Sequence, residues 1–531
     1  MKNHLPRRWP LYASILLLLV TVWLVLRVSI SHNQGHLVYA LDDAYIHMAM
    51  AKNFAQHGVW GVTRYGFTPT SSSLLWTLLL SATYYLGGVS ELAPFLWNLA
   101  LAVLILAVAD AILLWYKTPA WVRLATLVSI VCLIPLPTII LSGMEQSLQM
   151  LVVMVAVFLA ARWFSNESSS THRADALALF VLAPLITATR FEGMFLVVSI
   201  AGLALLRRRW PFALVFGVAG FLPVIINAAI SVAKGWFWFP TSVLLKASLP
   251  DLHSPGALFL SIINPFYVAL REEPHVLVLL VSVMLFYMVA NAKGSGAWES
   301  RELMTTMLGL TVVFHLMFVG AAPLFRYDAY WCALAFLVLG LQLPVVLPAT
   351  PRVIASPRSW AAAGLGVLFF FMLAQKGGRM LALLPRCTTN IYQQQYHMGM
   401  FVRRYYQHDS VALNDIGAVN FLADIHCLDM WGLGTAEVAR ARRTQHYQVS
   451  DVDRLARQHG IRVAIIYDEW FIGLVPPNWI RIGRWTIQNN VIAGDSTVSF
   501  YAVEPDEAKH LSESLSDFYL QLPPDVIQRG Q

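Results

Sequence analysis

The chain has 531 residues, 57% of them hydrophobic and only 13% charged, with a formal net charge of +7. A soluble globular protein carries about twice that charged share, and a nucleic-acid binder gathers its basic residues on one face, whereas here they are scattered at the ends of apolar runs. Those runs are about 15–25 residues long, enough to cross hydrocarbon as helix, so the composition implies a polytopic α-helical membrane protein with a soluble tail.

The first run, 11–30, has a long apolar core, and no small-residue cleavage pattern follows it before Asp42. It reads as a retained transmembrane helix. Lys2, Arg7 and Arg8 place the N-terminus in the cytoplasm. Later basic groups, Lys117/Arg123, Arg162/Arg173, Arg207–Arg209, Lys293/Arg301 and Arg352/Arg358, mark further cytoplasmic loops. About eleven spans satisfy these marks, near 11–30, 92–116, 120–140, 146–164, 175–189, 193–206, 211–231, 275–292, 304–322, 329–349 and 359–375. Counted as a span, "SSSLLWTLLLSATYYLGG" (71–88) inverts every later charge group. It is read instead as a helix along the outer interface, with Trp76, Tyr84 and Tyr85 at headgroup depth; a full crossing is the alternative.

On this topology a first external loop (31–91) faces outward, with "LSGMEQ" (141–146), "TRFEG" (189–193), "KGWFWFPTSVLLKAS" (234–248) and "PLFRYDAY" (323–330). These segments hold Asp42, Asp43, Glu145, Arg190, Glu192, Lys246, Arg326 and Asp328, which points to a site at the outer membrane surface. Asp110 is the main acid inside a span.

Residues 1–375 form the membrane domain, and 376–531 change character. Short apolar bursts, "SVALND" (410–415), "IRVAIIYDEW" (461–470) and "STVSFYAVE" (496–504), predict strands, with a helical pattern over 391–407. The tail is therefore expected to be a small extracytoplasmic α/β domain. Asp415, Asp424 and Asp429 beside these bursts suit turns and caps. Cys132 and Cys332 lie in apolar spans and read as packing. Cys387 and Cys427 lie in the tail and, if it is extracytoplasmic, are candidates for one disulfide, a pairing that spacing alone does not establish.

Asp42 and Asp43 open a helical pattern over 44–56. Capping a helix N-terminus explains one of the acids better than both. The pattern is amphipathic and would lie on the membrane surface, holding the acids at headgroup depth. His47, one turn after Asp43, is either a surface residue or its hydrogen-bond partner.

"LDDAYIHMAMAKNFAQHGVW", "GFTPTSSSLLWTLLL", "SGMEQSL", "TRFEGM" and "NDIGAVNFLADIHCLDMWGLGTAEVA", in that order, resemble the GT-C superfamily of membrane glycosyltransferases. They are most similar to the bacterial branch that includes terminal arabinofuranosyltransferases. The resemblance implies a bacterial inner-membrane enzyme. Such an enzyme takes a sugar, a pentofuranose such as arabinose in that branch, from a polyprenyl-phosphate donor and passes it to a glycan, lipid or exported-protein acceptor. It implies Asp42 as base and Asp43 as a second base candidate, an orienter or a metal ligand. Glu145 would stand beside them, sharing Mg²⁺ or Mn²⁺ with Asp43. Lys246, Arg190 and Arg326 are the donor-phosphate candidates, with Glu192 and His47 supporting. The tail would help bind acceptor. Relatives often carry an aromatic–Arg–Tyr triplet after the paired acids, where this chain has Met48, Ala49 and Met50; phosphate contact would then shift to Lys52. Nothing supports a nucleotide cofactor. A lipid-linked sugar flippase and a non-catalytic envelope scaffold are the rival readings.

Overall fold

The computed structural model describes residues 7–165, 172–244, 254–291, 299–319, 323–346, 357–444 and 446–530. In chain order the membrane half contains α1 (Trp9–His32), α2 (Asp42–His57), α3 (Leu74–Gly87), α4 (Ala93–Trp115), α5 (Ala120–Leu133), α6 (Leu136–Ser142), α7 (Gln146–Ser165) and α8 (His172–Thr189). It continues with α9 (Gly193–Leu206), α10 (Trp210–Ala233), α11 (Thr241–Leu244), α12 (Pro255–Glu272), α13 (Pro274–Asn291), α14 (Ser300–Phe318), α15 (Ala329–Val346) and α16 (Pro357–Ile391). Among the described residues five helical runs are long and apolar enough to cross a membrane, and the bent pair α5–α6 makes a sixth. The sequence pattern did not anticipate α12, whose Phe259, Leu260 and Tyr267 are exposed.

α7 packs against α4, α8, α14 and α15, and this apolar bundle is the core of the membrane half. Buried charges inside it are paired. Asp110 of α4 accepts from Arg123 of α5 at 2.6 and 2.9 Å. The acid inside a span is thus a structural ion pair between neighbouring helices.

Two helices that precede α4 depart from the expected surface positions. α2 is buried on most of its circumference, including His47 at 2% exposure, because α3 covers one side and the tail covers another. Ser73 caps α3 by accepting from the Trp76 amide at 3.2 Å. Trp76 and Tyr84 of α3 face the protein, and only Tyr85 of the three aromatics is exposed.

α16 runs through residue 375 without a break, passes a π-helical turn at Tyr392–Tyr396 and continues as α17 (His397–Tyr405). The tail then alternates β1 (Ser410–Leu413), α18 (Gly417–Leu422), β2 (His426–Asp429), α19 (Ala436–Arg443), α20 (Val449–Gln458), β3 (Val463–Ile466), β4 (Ile480–Ile487), β5 (Thr497–Ala502), α21 (Glu507–Phe518) and β6 (Val526–Gly530). The strands form one mixed sheet, order β2-β1-β3-β5-β4-β6, with β1 parallel to β2 and β3 and the other pairings antiparallel. Side chains alternate across it as a pleated strand requires. Val411, Leu413, Val463 and Ile465 pack with Phe401 of α17 and Phe518 of α21, while Ala412, Ala464 and Ile466 pack with Val438 of α19 and Leu455 of α20.

The expected disulfide is corrected: all four cysteines are free thiols. Cys387 is buried on α16, and Cys427 sits on edge strand β2 against Asn420 of α18, where burial pushes its thiol up to about 12. Each thiol is taken up by its own packing environment.

Candidate active site

The site begins where α2 begins. Leu41 is extended, and Asp42 and Asp43 form the first helical turn. Adjacent residues point about 100° apart on a helix, so the two carboxylates go to different partners. Asp42 turns toward the tail and Asp43 toward the membrane bundle.

Asp42 accepts the Gly417 amide at 2.8 Å on Oδ2 and the Ala418 amide at 2.8 Å on Oδ1. These are the first free N–H groups of α18. At the far end of the same short helix, Lys52 of α2 donates to the Asn420 and Phe421 carbonyls at 3.0 and 2.7 Å. Side-chain oxygens at the N-terminus and the Lys52 amine at the C-terminus thus satisfy free backbone groups at both ends of α18. Burial lowers Lys52 to about 8. Lys52 is therefore a docking residue for the tail.

Gly417 is needed for this fit, because a Cβ there would stand 2.1 Å from the Asp42 carbonyl oxygen and 2.7 Å from Oδ2. Beside it, Asp415 accepts the Tyr467 hydroxyl at 2.5 Å and the Gln395 amide at 2.8 Å. Burial first, then the Asp415 charge, raise Asp42 to about 8. Asp415 is raised as well, by burial and by Asp43. Asp415 was not among the expected site residues. No sequence signal separates it from a turn aspartate, since its neighbours come from α2 and from Tyr467.

Asp43 is paired with Arg326. Arg326 and Arg190 both stand over the Tyr327 ring, at 5.1 and 5.2 Å from its centroid. Arg190 grips Glu192 through two N–H groups, at 2.8 and 3.1 Å, and donates to Glu145 at 2.5 Å. Glu145 is fully buried. Its other oxygen lies 3.4 Å from His47 Nε2, while His47 Nδ1 meets Thr77 at 3.1 Å and Ser71 at 3.2 Å. Gly143, with φ +72°, ends α6 and aims the Glu145 loop inward; a Cβ there would meet the Tyr39 ring at 2.5 Å.

Asp43, Glu145, Arg190, Glu192, Arg326 and His47 thus form one connected cluster, while Asp42, next in the chain to Asp43, is turned to α18. Arg326 does not pair with its neighbour Asp328, which is held by Lys376 at 2.8 Å and His315 at 3.5 Å. Lys246 lies outside the described residues.

Asp43 and Glu145, the expected Mg²⁺ or Mn²⁺ pair, each face a guanidinium, so this donor set does not fit a shared cation. Among the described residues a different trio, Glu273, His275 and Asp328, brings potential metal ligands within 4.8 Å of one another. Lys376 Nζ stands 2.8 Å from both of its carboxylates and supplies the positive charge itself.

Residues 389–501 match the family described as "Domain of unknown function (DUF8728)". No curated protein matches the chain. Among solved structures, ArnT from Cupriavidus metallidurans bound to undecaprenyl phosphate aligns over 95% of this chain and 99% of its own, at 12% identity and TM-score 0.53. The apo form of ArnT aligns over 92% and 98%, at 13% identity and TM-score 0.52. An Archaeoglobus fulgidus oligosaccharyltransferase in complex with Zn and sulfate aligns over 96% and 74%, at 10% identity and TM-score 0.48. The likeness extends over nearly the whole chain, so the architecture is an ArnT-like GT-C fold.

Proposed function

We propose that this protein is a membrane glycosyltransferase. It takes a sugar from a polyprenyl-phosphate carrier at the outer face of the cytoplasmic membrane and passes it to an acceptor hydroxyl. The observation that carries the reading is the join of the Asp43–Arg326 pair to the Arg190–Glu145–His47 cluster at the edge of an apolar bundle. The likeness to ArnT, whose structure holds undecaprenyl phosphate, supports a lipid-phosphate donor.

The chemistry follows from the residues. An anionic phosphate competes with Asp43 for Arg326, and Arg190 lies on the same tyrosine ring ready to share the charge. The exchange would release the Asp43 carboxylate beside the anomeric carbon. The acceptor oxygen attacks that carbon as its proton passes to Asp43. The bond from the anomeric carbon to the phosphate oxygen breaks, and its electron pair leaves with the phosphate, stabilised by the two guanidinium groups. Glu145 and Glu192 hold Arg190 in place.

The resemblance puts the base at Asp42. Asp43 is the better candidate, because both Asp42 oxygens are engaged by α18 amides. The arginines fill the role that a divalent cation would otherwise have. A pentofuranose is the donor sugar we propose, on the sequence resemblance. Asp110 speaks against the flippase reading: it is locked to Arg123 rather than lining a path.

Purified protein supplied with synthetic polyprenyl-phosphoryl arabinose, and with hexose and amino-sugar counterparts, tests the reading. Release of polyprenyl phosphate that depends on Asp43 is expected. No turnover with any of these donors rejects it.

A further inference from the structure

We propose that Lys376 of α16 is a positioning residue for the donor phosphate: it sets Arg326 by gripping the chain on both sides of it. This rests on the glycosyltransferase reading and adds the device that fixes its phosphate-binding guanidinium.

Arg326 follows an unusual stretch of backbone. Leu324 and Phe325, just before it, both have left-handed φ values, +59° and +56°. Bulky side chains rarely adopt that region, and they stay there only when their surroundings hold them. Both side chains are almost fully buried. Beyond this bend Arg326 meets Asp43 of α2, and Tyr327 lays its ring beside Arg326 and Arg190. The Asp328 amide closes the turn by donating to the Phe325 carbonyl at 3.2 Å, and the Gln146 side-chain amide reaches the Arg326 carbonyl at 3.4 Å.

Lys376 secures both flanks of this turn. Its Nζ donates to Asp328, two residues after Arg326, at 2.8 Å. The same Nζ lies 4.9 Å from the centroid of the Phe325 ring, one residue before Arg326. A further bond, also 2.8 Å, goes to Glu273 at the corner between α12 and α13. Asp328 is buried, with His315 Nε2 3.5 Å from its other oxygen. With little water to screen it, the attraction between ammonium and carboxylate is strong there.

The grip matters because Arg326 has to exchange Asp43 for a phosphate without moving its backbone. A guanidinium fork binds phosphate well only at the right distance and angle. Arg326 Nε has no hydrogen-bond partner among the described residues, which leaves a buried donor for an incoming oxygen. Fixing Phe325 and Asp328 in advance avoids the ordering cost that a loose loop incurs on binding.

Binding of undecaprenyl phosphate to the full-length protein in nanodiscs, without turnover, is the test. Asp328→Asn and Glu273→Gln each take one carboxylate from Lys376 and leave the other, so both should fold, with similar melting temperatures. Only Asp328→Asn loosens the chain beside Arg326. It should weaken undecaprenyl phosphate binding about tenfold, the worth of one well-aligned hydrogen bond to a charged group, while Glu273→Gln binds like wild type. The double variant Lys376→Met, Glu273→Gln should show the same loss as Asp328→Asn. A folded Asp328→Asn with wild-type affinity overturns the proposal, and so does an equal loss in Glu273→Gln, which would mark a merely structural ion pair. Wild type that binds no undecaprenyl phosphate overturns the donor reading along with it, whereas wild-type binding with unchanged variants overturns the positioning role alone.

Discussion

The Gly417 amide donates to the Asp42 carboxylate at 2.8 Å across 375 residues of sequence. Ten residues along the same helix, Lys52 closes on the other end of α18. One amphipathic helix of the first loop thus holds a helix of the tail at both ends. The same turn that offers Asp42 to the tail offers Asp43 to Arg326, so tail docking and the geometry of the candidate base are set by adjacent residues.

Gly417→Ala should undo this contact. Its Cβ would sit 2.1 Å from a backbone oxygen, which cannot rotate away. Overpacking of this kind costs about 1–3 kcal/mol. Protease exposure of the tail should rise and transfer should fall together. A variant with wild-type protection and rate would show that α18 does not need this approach.

Asp43→Asn should lower transfer by about 100-fold or more, the contribution of a positioned base, with donor binding retained. Asp42→Asn should act differently, because an amide N–H₂ would face the α18 donors; its main effect should be a lower melting temperature. Turnover and melting curves for both variants check the split. The reverse pattern returns the base to Asp42.

The buried Asp42–Asp415 pair gives the docking a pH dependence. Asp42 is raised from 3.8 to about 8, and Asp415 is raised too, so the folded protein holds protons that the unfolded chain releases. The stabilisation is complete below about pH 4 and declines as pH rises through about 8. The melting temperature should fall between about pH 5 and about pH 8, and Asp415→Asn should flatten the decline. A wild-type melting temperature that rises across that range rejects raised carboxyls at this contact.

Arg190→Met should be strongly destabilising, because it leaves the buried Glu145 and the half-buried Glu192 without their cation. Breaking such a pair costs about 3–5 kcal/mol. The triple replacement Glu145→Gln, Arg190→Met, Glu192→Gln should recover much of that stability but none of the activity. Denaturant or thermal melts in detergent measure the first effect, and turnover the second.

Chelation should leave transfer unaffected, since guanidinium groups carry the phosphate charge. Lost turnover in EDTA, restored by Mg²⁺ or Mn²⁺, would return Asp43 and Glu145 to metal ligation.

Much of the helical architecture was readable. The runs at 11–30, 92–116 and 146–164 became α1, α4 and α7 almost residue for residue, because an uninterrupted apolar run has few alternatives to a helix. β1, β3 and β5 were readable from continuous apolar bursts. β4 was not: a bulge between Arg481 and Gly483 shifts the buried positions from even to odd numbers, which destroys the alternation. β2 is an edge strand whose His426 and Asp429 interrupt its apolar residues, and β6 is an exposed edge.

By itself the sequence determined the solvent, the helical bundle, the α/β tail and which acids and cations lie in the segments between apolar runs, because these follow from composition and local period. Only the tertiary structure decided how those charges pair. Asp43 goes to Arg326, Glu145 to Arg190, Lys52 to α18, and Asp42 to the tail's amides rather than to open solvent. Pairing depends on which helices the fold brings together across hundreds of residues, and a carboxylate carries no mark in the chain of the partner it will meet.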